Sequence, residues 1–348
     1  MKKTVFLLLL TLFSGMIATN AQKPLKRPLH YVDADSVFYM SKDFTNFRLF
    51  PLFVDKDAEF RRPQADKNRF KARQKRWQEK ILPTVNIVGG AGDEVGEAQA
   101  FGAASAIFEA ADLFLHTADA HYMNIVERAL YNAVPETFFG LSTVIDRRVA
   151  ATAMLVASCC TYATDKQGIY VNLYSNSYAH IATKDFDVRI DQVTNMPFLA
   201  QVKFRFGGID AKGQTLTMRF RIPEWVTTDM PLYVNGHDTP YEIINGYAVV
   251  KRTWKTNDEV YFILPIDPHF EEHGDSLIMR SGPMLYTFDT LPADAVPEEI
   301  VSSEEDEQSQ MFFYDVRFST TAEEKVYTAK PYLLSTDNKR QLWVRKKH

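Results

Sequence analysis

The hydrophobic period of the sequence changes once, near Gly168, and this change limits the folds open to the chain. Before it, apolar residues recur with helical spacing in segments 99–116, 120–134 and about 147–162. After it, apolar and polar residues alternate, or β-branched and aromatic residues run together, as in FDVRIDQV and TLTMRFRI. The pattern predicts an α+β multidomain protein with helices first and an antiparallel β-sandwich after them.

Composition and turn signals suggest where the regions begin and end. The helical region is predicted over 87–165 and the β-sandwich domain over 166–290, where Asn-Gly pairs mark turns between strands. Residues 22–86 stay unassigned, because prolines interrupt any long periodic element. Residues 291–348 are interpreted as an acidic linker followed by C-terminal strands, since six acidic residues fall between positions 298 and 307.

The first 21 residues have the order of a secretory signal peptide. Lys2 and Lys3 precede an apolar run from Val5 to Phe13, and small residues follow up to Ala21. The run is shorter than the roughly 20 apolar residues that a spanning helix needs. We therefore predict cleavage after Ala21, a periplasmic or extracellular location, and no membrane insertion.

The charge balance argues against a polyanion as the main partner. Lys and Arg total 40 against 44 Asp and Glu, a formal net charge of −4, so no nucleic-acid partner is predicted. Segment 61–80 nevertheless holds nine basic and two acidic residues, interleaved with Phe70 and Trp77. This segment is either a local polyanion patch or an amphipathic helix with a solvated basic face, and we favour the helix.

Two clusters could carry chemistry. Glu97 follows a glycine-rich turn, Gly89 to Gly92, which lacks the lysine and serine or threonine of a phosphate loop. With Asp93 and Glu94 it forms a carboxylate cluster that could supply a general acid, or acidic residues at a helix N-terminus. The only cysteines, Cys159 and Cys160, could be a nucleophile and a metal ligand, or small buried thiols on a core helix. Because they are adjacent, a disulfide between them would be strained.

Several longer motifs occur together and in order. They are HYMNIVERALYNAV (121–134), GIYVNLYSNS (168–177), RFRIPEWV (219–226), YVNG (233–236), GYAVVKRTWKTNDEVYFILPI (246–266) and SGPMLYTFD (281–289). Together they resemble the motifs of the bacterial β-L-arabinofuranosidases of glycoside hydrolase family 127 (GH127). The resemblance implies an (α/α)₆ barrel followed by β-sandwich domains, here with only a partial toroid of helices.

The same resemblance implies catalysis by a zinc-assisted cysteine nucleophile and a glutamate acid/base. Glu97 matches the family's acid/base position, since Gly96-Glu97-Ala98 follows the glycine-rich turn. Gln99 and Phe101 stand where the family's zinc-binding Glu and Cys are expected, so no zinc is predicted in the first instance. Counting back from the GIYV strand by the family spacing leads to Arg147 and Arg148 rather than to the cysteine pair.

Three hypotheses follow. In the first, an exported, shortened GH127 relative with a degenerate catalytic centre serves as a carbohydrate-binding or accessory protein for arabinose-containing plant glycans. In the second, it is an active retaining β-L-arabinofuranosidase with Glu97 as acid/base, Cys159 or Cys160 as nucleophile, and zinc. In the third, it is a truncated gene product without function. The oligomeric state is not predicted.

Overall fold

The helical part of the chain precedes most of the strands, as the hydrophobic period predicts. The computed structural model describes residues 24–32, 36–38, 65–92, 99–135, 144–306, 311–334 and 340–346, so the predicted signal peptide lies outside the described residues. The helices include α1 (Phe70–Arg76), α2 (Gln99–Thr117), α3 (Ala120–Tyr131) and α4 (Val144–Cys159). No helix of the described ranges is long and apolar enough to cross a membrane.

Helix α1 confirms the amphipathic interpretation of the basic segment. Its buried positions are Phe70 and Gln74, and a π-helical turn extends the buried face to Trp77 and Ile81. Part of its basic face pairs with acidic residues of α2: Arg73 contacts Asp112, and Arg76 Nη1 lies 3.2 Å from Glu109 Oε1. These ion pairs neutralise charge that a polyanion would otherwise meet.

Small residues let the longer helices approach closely. The alanines of α2 and α4 that are fully buried are Ala103, Ala106, Ala110, Ala111, Ala150, Ala153 and Ala157. An alanine surface shortens the distance between helix axes, so the two helices pack along their length. Asp119 begins α3 as its N-cap, where its carboxylate accepts a hydrogen bond of 2.9 Å from the His121 amide. The described helices pack against one another and against a sheet, and the partial toroid remains a prediction.

The strands form three largely antiparallel sheets. They are β1 (His30–Val32), β2 (Ser36–Phe38), β3 (Tyr162–Thr164), β4 (Gly168–Val171), β5 (Asn176–Ala182), β6 (Asp187–Thr194), β7 (Gln201–Gly207), β8 (Gln214–Arg221), β9 (Leu232–Val234), β10 (His237–Asp238), β11 (Glu242–Ile244), β12 (Tyr247–Trp254), β13 (Glu259–Ile263), β14 (His269–His273), β15 (Ser276–Ser281), β16 (Met284–Thr287), β17 (Val296–Glu305), β18 (Phe312–Ser319), β19 (Glu324–Pro331) and β20 (Val344–Arg345). Sheet 1 has the order β1-β3-β4-β8-β12-β11, and sheet 2 the order β10-β9-β13-β7-β6-β5-β2. Sheet 3 has the order β14-β15-β16-β19-β18-β17, with β20 paired to β15.

Sheets 1 and 2 confirm the predicted β-sandwich. The alternating residues of β6, β7 and β13 turn one face inward, and β8 and β12 of sheet 1 supply the opposing residues. Phe204 of sheet 2 packs on Phe220 of sheet 1 with ring centroids 5.1 Å apart. Trp254 stacks on Phe206 at 4.4 Å. The inner faces of the two sheets therefore share one aromatic-rich core.

The other face of sheet 1 packs against the helices. Tyr170 and Tyr247 of this sheet lie edge to face, 5.3 Å apart, and Phe114 of α2 lies 6.1 Å from Tyr170. Tyr31 of β1 donates a hydrogen bond of 2.8 Å to the carbonyl of Ala111 on α2. Sheet 1 is thus the middle layer, covered by helices on one side and by sheet 2 on the other.

Sheet 3 corrects the interpretation of the acidic segment. Residues 296–305 were predicted to be part of an acidic linker. They form the ten-residue strand β17, which pairs antiparallel with β18. Arg317 donates to Glu299 at 2.9 Å, and Ser319 donates to Glu298 at 2.6 Å. β17 is an edge strand and is mostly exposed. Because neither face is fully buried, its sequence lacks the alternation of apolar and polar residues that predicts a strand.

Two predicted boundaries differ from those in the structure. The third helix ends at Cys159 rather than near Tyr162, because Tyr162–Thr164 forms β3 between β1 and β4. The unassigned segment 22–86 contributes β1 to sheet 1 and β2 to sheet 2. The N-terminal part of the chain therefore belongs to the same sheets as the later strands.

Candidate functional site

The predicted acid/base Glu97, with Asp93 and Glu94, lies outside the described residues. The glycine-rich segment before it forms a turn, as predicted: the Gly90 amide donates to Asn86 Oδ1 at 2.8 Å. Gly89 has φ +85°, and a Cβ there would lie 2.5 Å from the backbone nitrogen of Ala129 on α3. Only glycine fits this close approach, so the turn is packed against the helices.

The second predicted pair, Cys159 and Cys160, lies at the end of α4. Cys160 is fully buried, and its thiol donates to the Val156 carbonyl at 3.1 Å. Burial raises the pKa of the Cys160 thiol, and the Tyr31 hydroxyl beside it lowers that pKa only in part. A thiol held neutral in the core lacks the thiolate character of a nucleophile. Cys159 is only partly buried.

The donor set around the cysteines does not fit zinc. Within the described part of the chain, no group of three His, Cys, Asp or Glu side chains lies close enough to hold a metal ion. A closed zinc site takes four such ligands, and a catalytic site takes three. We derive no reaction step through a metal at these residues.

Asn172 anchors the Cys160 backbone to sheet 1. Its side-chain amide donates to the Cys160 carbonyl at 2.8 Å, and its carbonyl oxygen accepts from the Tyr247 hydroxyl at 2.7 Å. Burial raises the pKa of Tyr247 well above its ordinary value, so its hydroxyl stays protonated and donates. The end of α4 is therefore held by polar contacts inside the core.

A buried ion pair lies beside this anchor. Arg221 of β8 is fully buried, and its guanidinium contacts the carboxylate of Glu127 on α3, which is 3% exposed. Arg221 Nη1 also donates to Asn124 Oδ1 at 2.7 Å, and Trp225 Nε1 donates to the second Glu127 oxygen at 2.9 Å. Arg221 Nε donates to the Asn172 carbonyl. Burial alone would lower the pKa of Arg221, but the adjacent Glu127 carboxylate raises it, so the guanidinium stays charged.

The motif residues of the sequence thus meet in three dimensions. Helix α3, the β4 segment and the β8 segment share the Arg221–Glu127 network, and Asn132 extends the contact to sheet 3. The Asn132 amide donates to the Pro283 carbonyl at 3.0 Å, and its oxygen accepts from the Leu285 amide at 2.9 Å. These contacts position the layers relative to one another. Two of the motifs carried a signal in the sequence: Glu127 follows the apolar pair Ile125-Val126, and Arg221 lies between Phe220 and Ile222.

An open groove of about 820 Å³ lies on the helix side of sheet 1. Arg219 stacks over the Tyr170 ring at 4.4 Å, and its Nη2 lies 3.3 Å from Asp165 Oδ2 and 3.4 Å from Gln167 Oε1. Arg219 is 9% exposed, and its Nη1 has no hydrogen-bond partner. The lining of the groove also includes Tyr241, Glu242 and Lys251.

The groove balances charge and offers both donors and acceptors. Two cationic side chains, Arg219 and Lys251, accompany two carboxylates, Asp165 and Glu242. Such a lining suits a polar, uncharged ligand with many hydroxyl groups better than an ion. These residues are far apart in the sequence and meet only when the strands pair, so no local motif marks them as a site.

Comparison with known proteins finds a family resemblance in the sandwich. Residues 168–266 match the family described as beta-L-arabinofuranosidase, GH127 middle domain. Over this segment the chain resembles glycoside hydrolase family 127. The match covers all of the sheet 1 and sheet 2 strands from β4 to β13.

Solved GH127 structures share the fold at low identity. A GH127 beta-arabinofuranosidase superposes with a TM-score of 0.65 at 16% identity, covering 76% of this chain and 54% of that one. The GH127 beta-L-arabinofuranosidase Ara127N from Geobacillus stearothermophilus T6 gives 0.63 at 19% identity, covering 76% and 55%. A further glycoside hydrolase gives 0.62 at 17%, covering 75% and 54%. No curated protein matches the chain.

The chain spans about half the length of these solved structures. The shared fold includes the β-sandwich that the resemblance implied. The GH127 resemblance that the motifs indicated is therefore confirmed over residues 168–266, and in this respect the chain is glycoside hydrolase-like.

Proposed function

We propose that this chain is an exported GH127-like protein with a degenerate catalytic centre, which serves the use of arabinose-containing plant glycans as a carbohydrate-binding or accessory protein. The observation that carries the proposal is the environment of Cys160. Its thiol lies in the core, bonded to the Val156 carbonyl, with a pKa raised by burial. A nucleophile for double displacement needs access to the anomeric carbon and a thiolate at neutral pH.

The groove beside Arg219 is the proposed glycan site. It is open and large enough for a short saccharide, within the usual range of ligand pockets of about 300–1,000 Å³. Gln167 and Lys251 are exposed at its edge, where they can bind hydroxyl groups. The positive and negative charges of its lining are equal in number, which suits an uncharged pentose polymer as ligand.

The first experiment separates binding from catalysis. Purified protein is assayed for zinc, for release of arabinose from a β-L-arabinofuranoside, and for retardation in gels that contain arabinan. We expect substoichiometric zinc, no turnover, and retardation. Stoichiometric zinc together with turnover that Glu97→Gln abolishes would contradict the proposal and support the retaining enzyme with Glu97 and Cys159 or Cys160.

Variants locate the binding site. The double variant Gln167→Ala/Lys251→Ala is expected to be retarded less by arabinan than the parent protein. Lys255→Ala, an exposed lysine outside the groove, is the matched control and is expected to be retarded as much as the parent protein. Equal behaviour of the two variants would show that the glycan binds elsewhere.

Export is tested on the N-terminus of the mature protein. If the signal peptide is cleaved after Ala21, N-terminal sequencing of protein recovered from the periplasm or medium will begin at Gln22. Intact Met1 in cytosolic protein would contradict export.

A further inference from the structure

The outer face of sheet 2 carries a second groove, of about 510 Å³, on the side away from the sandwich core. We call it the tyrosine groove, and its lining residues are Gln201, Lys203, Tyr233, Gly236, Glu259 and Tyr261. It lies on β7, β9 and β13, whereas the groove beside Arg219 lies on the helix side of sheet 1. The two grooves share no residue.

Two tyrosines form the apolar part of the tyrosine groove. Tyr233 of β9 lies directly opposite Tyr261 of β13, with ring centroids 6.2 Å apart and ring planes at 41°. Their neighbours Leu232 and Phe262 are fully buried in the sandwich, so alternation turns both rings to the outer face. Cross-strand pairing holds the rings side by side.

Polar groups of both signs flank the rings. Glu259 accepts from Lys203 at 2.8 Å and from Arg205 at 3.1 Å, and Gln201 donates to the Tyr261 hydroxyl at 3.4 Å. Hydrogen bonds from Lys203 and Arg205 lower the pKa of Glu259, so the carboxylate stays ionised beside its cations. Within the lining itself one cation, Lys203, balances one anion, Glu259.

This combination selects a chemical class. Sugar rings present apolar C–H faces and a rim of hydroxyl groups that both donate and accept. Paired aromatic rings provide a surface for the C–H faces, and an amide, an ammonium and a carboxylate provide partners for the hydroxyls. The Glu259 carboxylate is paired with Lys203 and Arg205, so the lining holds no group of charges of one sign for an ionic ligand.

We propose that the tyrosine groove is a binding site for a neutral oligosaccharide, with the sugar rings packed on Tyr233 and Tyr261 and the hydroxyls bonded to Gln201, Lys203 and Glu259. This site is additional to the groove beside Arg219 and does not depend on it. A chain with both sites would bind a long polysaccharide at two places, which strengthens retention when the spacing allows both to be occupied.

Affinity electrophoresis tests the proposal with named probes: arabinan, galactan and arabinoxylan as neutral polysaccharides, and polygalacturonate as the acidic one. The protein background is Gln167→Ala/Lys251→Ala, so that the groove beside Arg219 contributes no binding. We expect retardation by at least one neutral polysaccharide. Tyr233→Ala/Tyr261→Ala is expected to weaken that binding about tenfold, from the loss of two aromatic contacts.

Two controls make the result specific. Tyr178→Ala removes a tyrosine that is 37% exposed on β5 of the same sheet, outside the groove, and is expected to leave binding unchanged. Tyr233→Phe/Tyr261→Phe keeps the ring faces and is expected to retain most of the affinity. Each variant is accepted only if its thermal unfolding midpoint stays close to that of the parent protein.

The proposal is overturned if no neutral polysaccharide retards the background protein, if Tyr178→Ala weakens binding as much as the double alanine variant, or if polygalacturonate binds more tightly than every neutral probe. Equal arabinan retardation of Gln167→Ala/Lys251→Ala and Lys255→Ala, both with an intact tyrosine groove, would instead concern the proposed function alone. The two sets of variants thus keep the failures of the two proposals apart.

Discussion

Arg221 and Glu127 are held in the interior of the molecule, where taking charges out of water costs several kcal/mol per ion. This desolvation cost is offset because both ions also form hydrogen bonds with neighbouring groups. Asn124 and the Asn172 carbonyl accept from the guanidinium, and Trp225 donates to the carboxylate. Such a pair contributes little when intact and is expensive to break, since the remaining ion stays buried without its partner.

Replacing Glu127 by Gln is therefore expected to lower the free energy of unfolding by about 3–5 kcal/mol. Urea unfolding measures the change. The matched control is Glu299→Gln, which breaks the exposed 2.9 Å pair with Arg317 and is expected to cost less than about 1 kcal/mol. Similar losses for the two variants would show that burial adds nothing to the first pair.

His116 gives the helical core a pH dependence. It is 1% exposed and lies 4.8 Å from the Phe70 ring. Burial lowers its pKa, and Arg73 and Lys67 lower it further while Asp66 opposes them. The folded state thus keeps His116 neutral at pH values where the unfolded chain already binds a proton, below about 6.5. The unfolded state binds more protons there, so the free energy of unfolding falls as pH falls through that value.

Urea unfolding at about pH 7.5 and 5.5 brackets the ordinary histidine pKa and tests this direction. The parent protein is expected to be less stable at the lower pH, and His116→Gln is expected to reduce the difference. His237→Gln, an exposed histidine on β10, serves as the control and is expected to leave the difference unchanged. An equal pH dependence in both variants would assign the effect to other groups.

At the scale of elements, the pairing of β4 with β8 depends on Gly168, which has no side chain. These strands are parallel, with Gly168 opposite Thr217, and the Thr217 amide donates to the Gln167 carbonyl at 2.9 Å. A Cβ on Gly168 would lie 1.9 Å from the Thr217 carbonyl oxygen. Gly168, at the start of GIYV, therefore allows β4 and β8 to pair within sheet 1.

Gly168→Ala is expected to destabilise the protein by about 1–3 kcal/mol or more, because the backbone must shift to relieve the overlap. Gly207→Ala is the control: its Cβ would meet Arg189 at an ordinary 3.7 Å, in a strand of sheet 2. We expect that change to stay within about 1 kcal/mol. Chemical unfolding compares the two, and equal losses would contradict the steric argument.

At the scale of the whole molecule, the layers are joined rather than separate. One apolar cluster spans α1 to α4, part of sheet 1 and sheet 3, and a second fills the sandwich. Sheet 1 takes part in both, and the Arg221–Glu127 network crosses from α3 to β8. Loss of one layer would expose the apolar face of the next.

The described layers are accordingly expected to unfold together. Far-UV circular dichroism, which follows the helices, and the fluorescence of a variant that keeps only Trp254 of the four tryptophans should give coincident denaturant transitions. Glu127→Ala is expected to separate them, since it removes the polar link between the layers. Two resolved transitions in the parent protein, or aggregation in place of a transition, would support the hypothesis of a non-functional truncated product.

The sequence by itself determined the elements whose pattern is local. The helical period from Gln99 to His116 and the alternation of strands such as β6 and β7 predicted those elements nearly to the residue, because one face of each is buried. The motif order also indicated the family. The edge strand β17 escaped prediction because an exposed strand needs no such pattern.

Only the tertiary structure decided which distant residues meet. Glu127 and Arg221 are 94 positions apart, and Tyr233 faces Tyr261 only through the register of β9 on β13. The burial of Cys160, which raises the pKa of its thiol, depends on tertiary packing that also brings Tyr31 of β1 beside it. Pairing, register and burial are properties of packed layers, and for that reason the grooves and the thiol environment could not be read from spacing alone.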